Sequence, residues 1–162
     1  MSTSYDILKD RFFKRLRNDK KFFEYKGLTD IEIGELVDDH FSDLLLQSIE
    51  QIYTIGTPQI DLYDVDDIIG QFNKDLTTNE IGLLVSIMYC KYFEEDRNRL
   101  HEFMITFKSS ELSQLSPANE RNSFLAMVND MSDKVDSNIG KYLSTDRITG
   151  KIKTSQSQFE LR

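Results

Sequence analysis

The chain has 162 residues, of which 39% are hydrophobic and 30% charged, and a formal net charge of -8. Eleven Phe and seven Tyr supply the apolar surface for a packed core of single-domain size, which argues against wholesale disorder. One Cys and two His exclude an internal disulfide and a Cys/His zinc site.

Charge is unevenly distributed. Residues 1–27 carry eight bases against four acids, whereas residues 28–80 carry thirteen acids and the single base Lys74. Residues 81–140 carry nine acids and six bases, and residues 141–162 return to five bases and two acids. The molecule is thus expected to have an acidic body and two basic ends. No apolar run approaches the roughly 20 residues that span a bilayer. Met1–Lys9 lacks the apolar core of a signal peptide, so the expected setting is soluble and intracellular, without a membrane partner.

Ile7, Leu8, Phe12, Phe13 and Leu16 fall at helical spacing between Tyr5 and Asn18 and predict a first amphipathic helix with a basic outer face. Lys20–Gly27 reads as a connector in which Phe22, Phe23 and Tyr25 pack on the core. Thr29 and Glu32 form a capping-box signature. The helix behind it keeps its 3.6-residue period from Ile33 to about Tyr53 and stops at Gly56-Thr57-Pro58. Gln59–Asp75 mixes Ile60, Leu62, Val65, Ile68 and Ile69 with Asp61, Asp64, Asp66 and Asp67, and is expected to be an acidic loop with a short extended or single-turn piece.

Thr77 and Glu80 open a second capping box. The face Ile81, Leu84, Val85, Met88, Tyr89, Tyr92 and Phe93 marks the central core helix, which continues or restarts across Glu94–Arg99 toward Phe107. Ser116-Pro117 predicts the start of a last helix whose apolar face runs from Phe124 through Met127 or Val128, Met131, Val135 and Ile139 to Tyr142. The tail Thr145–Arg162 has only short alternation and cannot alone bury enough apolar area to offset its ordering entropy. It is expected to be free or docked on a partner. The fold class is therefore all-α: a small bundle of about four helices over residues 1–144, an acidic middle loop, a C-terminal arm over 145–162, and no strong internal repeat.

Motifs for chemistry are missing. The seven glycines never cluster into a phosphate-cradling loop, and no Walker, Rossmann, nucleophile-elbow or zincin pattern occurs. His40 and His101 lack a Cys or Ser partner at dyad spacing, and Cys90 reads as a buried structural thiol. Asp64, Asp66 and Asp75 match positions of a calcium-loop template, but Ile68 and Ile69 replace a ligand and the turn glycine. No catalytic residue, metal ligand or cofactor is expected.

The stretch FNKDLTTNEIGLLVSIMYCKYF at residues 72–93 resembles a segment of the small all-α head–tail connector proteins (neck or adaptor proteins) of tailed bacteriophages of Gram-positive hosts. The likeness extends to Leu28–Ile33 (LTDIEI), to Phe107–Leu112 and to the Ser/Pro start of the last helix, so it covers most of residues 5–143. It implies a non-enzymatic virion subunit, assembled in the host cytoplasm. This would form a ring, a dodecamer by analogy, between the portal protein and the stopper or tail-completion protein, around DNA that passes without sequence-specific contact. In that setting the arm is inferred to dock on the portal through Arg147, Ile148, Lys151, Ile152, Lys153, Phe159 and Leu161. The loop acids Asp61, Asp64, Asp66 and Asp67 would face the channel or a neighbouring subunit. The alternative reading is an acidic regulatory protein whose carboxylates mimic a phosphate row.

Overall fold

The computed structural model describes residues 2–16, 27–106 and 118–153. Residues 20–26 of the expected connector, the segment 107–112, the Ser116-Pro117 cap and the arm residues Phe159 and Leu161 lie outside the described residues. In chain order the elements are β1 (Thr3–Ser4), α1 (Tyr5–Leu16), α2 (Asp30–Ile55), β2 (Val65–Asp66), β3 (Gln71–Phe72), α3 (Thr78–Thr106) and α4 (Ala118–Ser144).

Local chemistry starts each of the two middle helices. At α2 the Thr29 side chain accepts from the Glu32 N–H, and the Glu32 carboxylate accepts from the Thr29 N–H at 2.8 Å. At α3 the same exchange joins Thr77 and Glu80, with Thr77 N–H donating to Glu80 Oε2 at 2.7 Å and Glu80 N–H to Thr77 Oγ1 at 3.2 Å. Each box satisfies backbone donors that a helix cannot satisfy by itself. The second helix ends at Gly56, where a Cβ would stand 2.9 Å from Leu143 Cδ1, so the missing side chain lets the end of α4 close against the end of α2.

α3 is the hub. It packs on α1, α2 and α4, and α2 also touches α4. Leu8, Phe12 and Leu16 of α1 meet Val37, Phe41, Leu44, Leu45, Ile49 and Ile52 of α2. Leu84, Val85, Ile87 and Met88 of α3 and Val135 and Ile139 of α4 complete that core. The apolar faces read from the 3.6-residue period are the buried ones, with corrections at their margins: Ile7 and Leu36 are exposed, and Ile87 is fully buried. In α4 the inward residue of the Met127/Val128 pair is Val128. α3 runs unbroken through Glu94–Arg99.

The middle loop holds more structure than the sequence pattern indicates. β2 and β3 form an antiparallel pair, and β1 adds to the other edge of β3, giving the order β1-β3-β2. Phe72 sits opposite both Thr3 and Val65, is fully buried, and meets Tyr5 edge-on at 5.3 Å. The Thr3 hydroxyl, also buried, accepts from the Leu76 N–H at 2.8 Å. Strands of two residues fall below the length at which alternation can be recognised, so β1 in particular has no periodic signal.

Candidate functional site

After α4, residues 145–153 stay on the body. Residues 144–153 form a tight antiparallel turn in which Asp146 N–H donates to Lys151 O, Lys153 N–H donates to Ser144 O (both 2.8 Å), and Thr145 bridges Ile152. Inside the turn Asp146 Oδ1 accepts from the N–H groups of Ile148 and Thr149 at 3.2 and 2.7 Å, and Gly150 N–H donates to Asp146 O at 2.8 Å. Gly150 has φ +67°, a conformation costly for a side-chain-bearing residue.

The turn is anchored to α3 by a planar fork. Arg147 Nε donates to Glu80 Oε1 at 2.9 Å and Nη2 to Glu80 Oε2 at 2.8 Å, while Nη2 also reaches Asp75 O at 2.7 Å. Tyr142 O–H donates to Glu80 Oε1 at 2.9 Å. Gln59 holds the other side, donating to Thr145 O at 2.6 Å and accepting from Arg147 N–H at 3.2 Å. Burial opposes the charge on Glu80, but Arg147, Thr77 and Tyr142 outweigh it and hold the carboxyl below its ordinary range. Tyr142 is pushed well up, first by burial and then by the Glu80 charge.

The described part of the arm thus has an inward and an outward side. Arg147, expected to face a partner, is turned inward and spent on Glu80. A bidentate Arg–carboxylate pair offers the arm an intramolecular anchor that the alternation around Ile148 and Ile152 does not reveal. Ile148 and Ile152 face outward at 75% and 76% exposure, and Lys151 and Lys153 are exposed beside them. Lys153 Nζ caps Leu143 O at 2.8 Å.

The acidic loop is built on the same plan. Asp66 Oδ1 accepts from the N–H groups of Ile68 and Ile69, both at 3.1 Å, Gly70 N–H donates to Asp66 O at 2.8 Å, and Gly70 has φ +70°. Asp66–Gly70 (DDIIG) and Asp146–Gly150 (DRITG) are therefore two copies of one turn, Asp-x-Ile-x-Gly. This shared turn is too short to count as a strong internal repeat, and its signal in the sequence is the Asp-to-Gly spacing of a side-chain-capped turn. In each copy the isoleucine points away from the body, Ile68 at 98% exposure.

The other predicted acids are occupied by partners in the loop, in α1 and in α2. Asp61 accepts from Tyr53 O–H at 3.0 Å and from Tyr63 N–H, Asp64 from Asn73 Nδ2 at 2.8 Å, and Asp67 from Tyr5 O–H at 3.1 Å. Lys74 Nζ stands 3.3 Å from Asp64, so Lys74 and Asn73 both lie on the carboxylate that the calcium template would need. Asn73 and Lys74 hold Asp64 below the ordinary carboxylate range. The carboxylates brace a rigid tip, and the loop and arm meet at one end of the bundle through Gln59 and Asp75.

A groove of about 360 Å³ runs beside the basic turn between α3 and α4, over Gly82, Leu83 and Tyr142, with Asn138 and exposed Lys141 along it. A second groove, of about 410 Å³, lies between α1, α2 and the loop, against Tyr5, Leu46 and Tyr63, with Asp43 and Asp67 along it. Among the described residues no helix is long and apolar enough to cross a membrane. No family model, no curated protein and no solved structure matches the chain.

Proposed function

We propose that this chain is a non-enzymatic subunit of a phage head–tail connector ring, seated between the portal protein and the stopper or tail-completion protein. The observation that carries the reading is the order of capped helices along residues 5–143, centred on the 72–93 segment that resembles connector proteins. The all-α bundle, with α3 at its hub, agrees with it.

The basic turn is the portal-facing element in this reading. Ile148, Ile152 and Lys151 are not needed for the turn's own geometry, which rests on Asp146, Gly150 and Arg147. Aliphatic side chains held rigidly in water, with lysine among them, suit an acidic surface that has an apolar pocket. Residues 154–162 follow directly and bring Phe159 and Leu161 to the same partner in this proposal.

The test is co-expression of the full-length chain with the portal protein of the same phage, followed by affinity capture and electron microscopy. A complex with the chain as a ring on the portal is expected, and Ile148→Asp with Ile152→Asp should weaken capture at least about tenfold by losing two apolar anchors. Absence of capture, together with virions that lack the chain by mass spectrometry, overturns the reading.

A further inference from the structure

We propose that the acidic turn of one copy, led by Ile68 and Ile69, seats in the groove beside the basic turn of a second copy, over Leu83 and Tyr142 and against Lys141. The inference deepens the ring reading and rests on it; it names the two surfaces through which neighbours meet.

The knob comes first. The turn's geometry requires Asp66 and Gly70 and leaves both isoleucines unused, and they stand at 98% and 67% exposure. Among the described residues nothing covers these two aliphatic side chains. The tip is braced from within by Asp66, and from the side by Tyr5 O–H on Asp67 and Tyr5 N–H on Gly70 O at 2.8 Å, so little freedom is lost when it is buried.

Charge selects the socket. The knob's outward charge is Asp67, since Asp66 is turned onto the N–H groups of its own turn and Asp64 at the base is paired with Lys74. The groove along α3 and α4 has the exposed Lys141 on its wall. Asp146 borders it too, but its carboxylate is turned onto the N–H groups of its own turn. The other groove is edged by Asp43 and by Asp67 itself, and its lysine, Lys9, is already answered by Asp38 at 2.9 Å, so it would repel an acidic tip. Knob and socket share no residue, so copies joined this way meet head to tail. Such a contact closes into a ring when its rotation divides the circle.

Disulfide trapping tests it on the full chain, alone and co-expressed with portal protein. The native thiol does not compete, because Cys90 is buried. A chain carrying both Ile69→Cys and Asn138→Cys should give a ladder of covalent oligomers under either condition. A mixture of the two single variants should stop at dimers, because each chain then offers only one half of the contact. Adding Ile68→Asp or Lys141→Glu to the doubly substituted chain should reduce trapping at least about tenfold. No ladder under either condition, a ladder indifferent to Ile68→Asp, or trapping of the tip by another protein instead overturns the proposal. Capture of wild-type chain by portal is scored in parallel: capture without a ladder sinks this contact and leaves the ring, whereas a ladder without capture sinks the portal reading and leaves the contact.

Discussion

Arg147 Nη2 lies 2.8 Å from Glu80 Oε2, and Glu80 is only 2% exposed. One carboxylate therefore does two things: it caps the start of α3 and it fastens a turn 67 residues further along the chain.

Arg147→Ala should lower the unfolding free energy by about 2–4 kcal/mol, because the carboxylate it leaves behind stays buried with its charge only partly answered. Urea denaturation measures it. Arg147→Lys should recover less than half of the loss, since an ammonium cannot fork to both oxygens and reach Asp75 O as well.

Glu80 also sets a pH dependence. Its folded carboxyl titrates below the ordinary 4.5, so the stability it contributes is complete above that value and disappears as pH falls through the lower, folded one. The gap in stability between wild type and Glu80→Gln should be constant near neutrality and shrink below about pH 4.5, as followed by urea titrations at a series of pH values. A gap that widens on acidification would contradict the assignment.

Thr3→Val should cost about 1–3 kcal/mol, although the two side chains have nearly the same shape. The Leu76 N–H would keep its burial and lose its acceptor. Thermal denaturation reads the loss, and amide exchange at Leu76 should quicken with it, while Thr3→Ser restores both.

The Cys90 thiol is pushed up to about 11, chiefly by burial and then by the neighbouring Glu94 charge. At pH 8 a thiol reagent such as DTNB should label the folded chain far more slowly than the urea-unfolded chain. Prompt labelling of the folded protein would show that this part of α3 opens readily.

The helices were legible in the sequence because their signals are long. Thr29 with Glu32 and Thr77 with Glu80 mark the starts, and faces such as Phe41-Leu44-Leu45 repeat often enough to establish a period. What escaped notice was short or distant. β1 is two residues long and recognisable only from its partner Phe72. Arg147 looks like any basic residue of a polar tail until α3 brings Glu80 to it across 67 positions. The loop acids looked like a surface row because composition reports charge, whereas the bonds from Tyr5, Tyr53 and Asn73 decide where each carboxylate points. The paired turns lay in plain view as DDIIG and DRITG, five residues each, too short for a periodicity test.

The double duty of Glu80 bears on how the chain is made. A ribosome delivers residue 80 well before residue 147, so while those 67 residues are added the capping carboxylate of the hub helix lacks the guanidinium it meets in the folded chain. A chain stopped after Ser144 contains all four described helices and still lacks the cation that neutralises their buried acid. The bundle is finished by its turn, and the cap of its hub helix is completed only by a residue 67 positions downstream.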